Sequence, residues 1–500
     1  MSPDQLRILL IDTPSVSPNV INIGLAAIGA CLEADGHVVR VLDLNNITVP
    51  GRPRERLAQA MAWQPDIVGV SLFPACRYTY RQAERLLRAA RAKARPETLF
   101  VAGGVGITVL MAEAARRLAG LADLLVYGEG ELTMREIAVR YAAGGALNNI
   151  AGTIQWCGGH LAINEPRPFI ADLDSLPFPD YSIFDSVAEV RREYPIMTSR
   201  GCPFNCVFCL NKTLTQRRYR ARSARNVVDE VKMAREKYNF EALYIWDDHF
   251  SLQRERAEEI CRLFIAECPG LRYYLPDGIR ADSVTPEFAR LLKASGCAGV
   301  SIGFEDANPE TFPLIKKGER YEDIIQAIGV LKAAGVPVRA SMVIGLPGAT
   351  YASTRVSMKN VARLGIHAEW YLATPFPGTE FYDWVMQHGR LLEDPLSLRA
   401  LTFRRVVFDT PEFPRRERYR AFYQAFAHYS FPELAFYGKV CDPLTQQRYR
   451  LEKYVTSIFT VARYIPERLP SHLCNLATDL VRGVARRVGA VFRRKRREAP

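Results

Sequence analysis

Short apolar runs alternate with helical stretches twice along this chain, and that alternation limits the fold more than any other feature. In the first series, Arg7–Ile11, Val38–Asp43, Ile67–Leu72, Leu99–Ala102 and Leu124–Tyr127 are β-branched or apolar over four to six residues. Between them lie the helical patterns Ile23–Asp35, which ends at Gly36, then Tyr78–Ala94 and Leu110–Leu118. Strand–helix alternation predicts a parallel, doubly wound sheet. Ligands of such sheets sit outside the carboxyl ends of the strands. Gly103, Gly104 and Gly128–Gly130 fall at two such ends.

The second series begins near residue 195. Its expected strands are Met197–Ser199, Ala242–Trp246, Tyr273–Leu275, Gly299–Gly303, Val338–Ile344 and Ala368–Ala373. Helices are expected at Arg225–Tyr238, Arg254–Glu267, Pro286–Ala294 and Tyr321–Ala334. Six such units predict a partial β/α barrel with its site at the carboxyl ends of the strands. The expected organisation is therefore α/β: a doubly wound domain over 1–150, a linker with a small hairpin near Gly158–Gly159 over 151–194, the barrel over 195–390, and a helical region over 391–500.

Composition bounds the function classes. With 48% apolar and 24% charged residues, 500 residues suffice for two or three ordinary globular cores. No run of about 18 apolar residues predicts a membrane span. The N-terminal residues lack the basic region and cleavage site of a secretory signal, so a cytoplasmic location is expected. Eleven cysteines are an odd number and too sparse for a disulfide-stapled small domain, so reduced thiols are expected. The formal charge of +12 is concentrated after residue 481, where eight Lys or Arg face one Glu. Nucleic-acid binding is not expected, because no recognition motif accompanies that tail. Apolar residues at Leu473, Leu476, Leu480, Val484, Val488 and Val491 give the tail an amphipathic basic pattern, open to docking on the chain or to peripheral contact with an anionic membrane.

Three cysteines stand apart from the other eight. Arg200-Gly-Cys-Pro-Phe-Asn-Cys-Val-Phe-Cys209 directly follows an expected strand. Thiolates bind iron well, and three of them leave one iron of a four-iron cluster open. A structural zinc ion wants four ligands and usually a paired CxxC, so zinc is the poorer reading.

With Phe208 ahead of the last cysteine, Cys202, Cys206 and Cys209 resemble the signature of the radical S-adenosylmethionine superfamily. The resemblance implies a [4Fe-4S] cluster whose open iron binds S-adenosylmethionine, and a 5′-deoxyadenosyl radical that abstracts hydrogen from substrate. It also implies cofactor-binding roles at later strand ends. Asp247 or Asp248 would meet the cofactor's amino group, although a helix cap is an equal reading for one of them. Arg280 would pair with its carboxylate unless it makes a surface ion pair. Glu305 would lie near its ribose and methionine. Gly345 and Pro347, in the turn Val343–Gly348, would bring backbone against adenine; Ala349 stands where relatives often carry an acid.

The first series resembles the cobalamin-binding domain fused to one branch of that superfamily. Gly24–Leu25 with Gly36–His37, Gly69–Leu72 with Ser71, Gly103–Gly104, and Gly128-Glu129-Gly130-Glu131 carry the likeness. The Asp-x-His-x-x-Gly signature for an axial histidine is absent from 12–29, and His37 is expected to be structural. A domain that kept the fold and lost the ligand is the competing reading. Cys261, Cys268 and Cys297 are expected to be structural thiols; Cys297 precedes the fourth barrel strand, but no partner motif ties it to the site. The expected activity is methylation of an unactivated carbon of a hydrophobic or secondary metabolite, or radical cyclisation or rearrangement of tetrapyrrole or lipid type. Expected partners are that small molecule and a flavodoxin- or ferredoxin-type electron donor.

Overall fold

The computed structural model describes residues 5–429, apart from 16–19, 47, 74–75, 158–159 and 398–399. The basic amphipathic tail lies outside the described residues.

The first sheet has seven strands. β1 (Arg7–Asp12), β2 (Val38–Asp43), β3 (Ile67–Ser71), β4 (Leu99–Gly103) and β5 (Leu124–Val126) are parallel, in the order β2-β1-β3-β4-β5. Both faces are covered, so these strands read as continuous apolar runs. Alternation along β1 shows it: Leu9 and Ile11 face one core with Val68, Val70 and Phe100. Ile8 and Leu10 face another that continues into the second domain through Tyr181, Phe184 and Tyr194. Helix α1 (Ile23–Ala34) starts where the Asn22 side chain accepts the Leu25 N–H. His37 is structural, its Nδ1 accepting the Leu6 N–H at 3.3 Å.

The hairpin expected in the linker forms, but as part of this sheet. β6 (Thr153–Cys157) pairs antiparallel with β5, and β7 (His160–Ile163) with β6. The sheet thus runs past residue 150, because β5 would otherwise be an edge with unpaired backbone groups.

The second sheet is six-stranded and all parallel: β8 (Glu193–Ile196), β11 (Ala242–Ile245), β12 (Tyr273–Leu275), β13 (Cys297–Glu305), β14 (Val338–Ile344) and β15 (His367–Leu372), in that order. Between β8 and β11 a two-residue ladder joins β9 (Ser199–Arg200) to β10 (Arg220–Ala221). The first barrel strand is therefore earlier than the expected Met197–Ser199. Pro195 and the prolines before it disguise β8 as linker; an edge strand tolerates a proline that a central strand would not. β8 and β15 are not joined, so the barrel is open. Beyond it, β16 (Arg390–Leu391) pairs with β17 (Phe408–Asp409), and a helix over Arg415–Tyr429 packs on β14 and β15. Among the described residues no helix is long and apolar enough to cross a membrane.

Candidate functional site

The cysteine loop leaves the barrel at the carboxyl end of β8. Asp247, just past β11, anchors its start: this buried carboxylate accepts from the Thr198 N–H (2.6 Å), the Ser199 N–H (3.1 Å), the Ser199 hydroxyl (2.7 Å) and the Thr198 hydroxyl. Gly201 turns the chain with φ of 84°, and a Cβ there would meet the Arg218 carbonyl oxygen at 2.1 Å, so only glycine fits. Its N–H donates to Asp248 at 3.1 Å. Farther along, Val207 N–H bonds the Ile315 carbonyl and Phe381 N–H bonds the Val207 carbonyl. Phe208 packs against the core.

Cys202, Cys206 and Cys209 are half-buried free thiols. Burial raises all three, Cys209 to about 11. Opposing it at Cys202 and Cys206 is the positive charge of Arg280 and Lys317. Left unliganded, such thiols are poor thiolates; a bound metal reverses that balance.

Arg280 does not point an empty guanidinium into the site. It donates to the Lys317 carbonyl (3.0 Å), the Gly318 carbonyl (2.9 Å) and Asp282 (2.9 Å), and stacks 3.4 Å over the Phe204 ring of the cysteine loop. Its present work is to hold that loop against 317–319. Glu305 ends β13 in a left-handed conformation, φ 62°, with Lys317 Nζ 3.7 Å away. A non-glycine residue there carries strain, as side chains held for function often do. Burial raises the Glu305 carboxyl; it opposes the charged form of Lys317 too, but Glu305 and Glu319 together raise that ammonium. Gly345 and Pro347 are buried elsewhere. The space a Gly345 side chain would need is filled by Arg418 of the C-terminal helix, 1.9 Å from the Cβ position, whose Nη1 donates to the Gly345 carbonyl at 3.1 Å. Packing thus accounts for this glycine. Cys297 begins β13, at the end of the barrel away from the cysteine loop.

One cavity of about 760 Å³ joins the two domains. On its first-domain side lie Ser71, Gly103, Gly104, Gly128 and Glu129; on its barrel side lie Gly201, Trp246, Asp248 and Asp277. Ser71 Oγ accepts from Asn22 Nδ2 at 3.2 Å, and Gly128 N–H donates to Thr108 Oγ1 at 3.1 Å. Gly128 lines the cavity, and a Cβ there would meet nothing within 4 Å. Glu129, in contrast, is fully engaged with Arg200, Arg220 and the Ile170 N–H. Both of its oxygens already accept from this framework, so its first role is structural.

Sequence reasoning missed two acids in this cavity. Asp12 ends β1 and accepts from Asn22 Nδ2 at 2.8 Å; burial, then Asp43, pushes it up to about 8. Asp277 follows β12, and burial with Asp248 nearby raises it to about 6. Each lies within two residues of the end of a strand that the periodicity identifies, and the carboxyl-end rule would have found both.

The residues fit the implied groups. Among those described, no three His, Cys, Asp or Glu converge on a single ion. Thiolates that each bind a separate iron need no common focus, unlike zinc ligands. The order β2-β1-β3 puts a topological switch point beside Asp12 and Ser71, and the cavity there is open at Gly128, where a Cβ would meet nothing.

Comparison with known proteins gives two family matches along the chain. The Radical SAM superfamily profile matches residues 196–360, and the B12 binding domain profile matches residues 11–138. An uncharacterized methyltransferase of Pyrococcus horikoshii is 30% identical over 334 residues, 66% of this chain and 71% of that protein. The anaerobic magnesium-protoporphyrin IX monomethyl ester cyclase of Rubrivivax gelatinosus is 25% identical over 374 residues, 72% of this chain and 65% of that one. The solved structure of the radical S-adenosylmethionine methyltransferase TsrM from Kitasatospora setae superposes with a TM-score of 0.66 at 19% identity, over 78% of this chain and 79% of that one.

Proposed function

This chain belongs to the cobalamin-binding branch of the radical S-adenosylmethionine superfamily, and on that premise we propose that it methylates an unactivated carbon of a small hydrophobic metabolite. The observation that carries the reading is a cavity lined both by the glycine cradle of the first domain and by Gly201 and Asp248 beside the cysteine loop. Two cofactors that act on one substrate must open into one space.

Cys202, Cys206 and Cys209 are assigned to a [4Fe-4S] cluster, and Ser71, Gly103, Gly104 and Gly128 to the cobalamin cradle. Bound there, the cluster supplies reductive cleavage of S-adenosylmethionine and cobalamin supplies a transferable methyl group. The protein's own residues bind, orient and exclude water. Asp248 faces the cavity and is assigned to the cofactor's amino group, whereas Asp247 acts through Thr198 and Ser199. Phe204, stacked on Arg280, and Trp246 keep the barrel mouth apolar. Glu305 and Lys317 form a charge pair for the polar end of S-adenosylmethionine. An external flavodoxin- or ferredoxin-type donor supplies the electron, and the buried free thiols Cys31, Cys76, Cys261, Cys268 and Cys297 suit a reducing cytoplasm.

Likeness to the cyclase supports a second reading, radical ring closure. Methionine labelled with deuterium in its methyl group separates the two in cells. Methylation predicts a metabolite that carries the intact label only when the wild-type chain is expressed. A product that instead loses hydrogen and takes up no label would overturn methylation in favour of cyclisation.

A further inference from the structure

Two arginines of the barrel and two carboxylates of the first domain meet in the wall of the shared cavity. The β9–β10 ladder sets Arg200 directly opposite Arg220, a like-charge pair that repels if left alone. Glu129 lies between them. Its Oε1 accepts from Arg200 Nη1 at 2.9 Å, and its Oε2 accepts from Arg220 Nη1 at 2.9 Å and the Ile170 N–H at 2.8 Å. The second arm of Arg200, Nη2, donates to Glu131 Oε1 at 2.6 Å. At most a fifth of any of these side chains is exposed. Solvent screens such pairs weakly, and either half without the other would leave buried charge uncompensated.

Position gives the network its meaning. Arg200 is two residues before Cys202, and the intervening Gly201 is tied to Asp248. Glu129 stands between Gly128 and Gly130, and Glu131 opens the helix Glu131–Ala142. One guanidinium therefore joins the turn that carries the first thiolate to the loop lining the glycine cradle. The continuous apolar core already holds the domains together, but such contacts slide more readily than a planar fork bonded to two carboxylates of one loop.

Resting on the cobalamin reading above, we propose that Arg200 is a positioning residue that fixes the separation between the cluster and the corrin by clamping Glu129 and Glu131. A lysine offers the same charge as a point and cannot span both carboxylates in fixed geometry. Charge alone would keep the domains attached; the fork keeps them in register.

The full chain, reconstituted anaerobically with iron and sulfide and loaded with hydroxocobalamin reduced by one electron, gives a test that needs no substrate. The paramagnetic reduced cluster speeds spin relaxation of the cobalt centre by an amount that falls steeply with distance, and pulsed electron paramagnetic resonance reads it. Arg200→Lys and Arg200→Gln are expected to keep wild-type iron and cobalamin content and to lose most of that enhancement. Wild-type enhancement in Arg200→Gln overturns the proposal. If a variant loads poorly, hydrogen exchange on the cofactor-free chain decides. Faster exchange in 128–133 and 198–203 together, with the barrel helices unchanged, supports the clamp, and wild-type exchange in both segments overturns it. A wild-type chain that retains the cluster but no cobalamin defeats the cobalamin reading instead, and the exchange measurement still judges Arg200.

Discussion

Asp247 and Asp248 are neighbours with opposite surroundings, and that contrast makes separable predictions. The four hydrogen bonds of Asp247 come from backbone and hydroxyl groups of Thr198 and Ser199. Asp247→Ala leaves four buried donors unsatisfied, a loss of about 2–4 kcal/mol that lowers the denaturant midpoint and, with it, iron incorporation. Asp248→Asn is expected to leave the midpoint within about 0.5 kcal/mol of wild type, as surface-like changes do, while weakening S-adenosylmethionine binding by calorimetry. Asp12 offers a pH signature. Its carboxyl is raised to about 8 in the fold, from 3.8, by burial and then by Asp43. Between those values the native state keeps a proton that the unfolded chain has lost, so Asp12 lowers stability progressively as pH rises. Asp12→Asn can still accept from Asn22; it should melt near wild type at pH 4 and above wild type at pH 8. A constant difference across that range would contradict the assignment.

At the scale of elements, the last described helix, Arg415–Tyr429, is held by a buried cation whose hydrogen bonds go to neutral oxygens, with Asp409 near enough to favour its charge. Arg418 lies between Phe408 (4.0 Å) and Phe413 (4.7 Å) and donates to the carbonyls of Gly345 and Phe413; burial lowers it to about 9. Arg418→Ala removes the rings' filling and three buried bonds, the third to Thr410 Oγ1 at 3.4 Å, so a destabilisation of about 3–5 kcal/mol is expected, with earlier proteolysis after residue 410. This contact could not be read from sequence, since Arg418 and Gly345 are 73 residues apart and neither belongs to a motif that names the other. Strand–helix alternation, in contrast, was legible: Val38–Asp43, Tyr273–Leu275 and Val338–Ile344 fold with the boundaries that periodicity gives. β8 was not, because Pro195 breaks the pattern on which strand recognition rests.

For the whole molecule, the three cysteines and the glycine turns were visible as local spacings, but the cavity that joins those turns to Arg200, Gly201 and Asp248 beside the cysteine loop was not. Long-range partners decide which residues remain available. Glu129 and Arg280 carried ligand expectations from their place in motifs, and the fold commits both to holding loops in register. Asp12 and Asp277, outside every motif, line the cavity instead. The proposed function rests on radical generation at the cysteine loop. The most direct measurement is 5′-deoxyadenosine, quantified by mass spectrometry after the anaerobically reconstituted full chain is reduced in the presence of S-adenosylmethionine. Wild type is predicted to release it, and the variant with Cys202, Cys206 and Cys209 all changed to Ala to release none. A wild-type chain with its cluster intact and reduced that yields no 5′-deoxyadenosine would contradict the account.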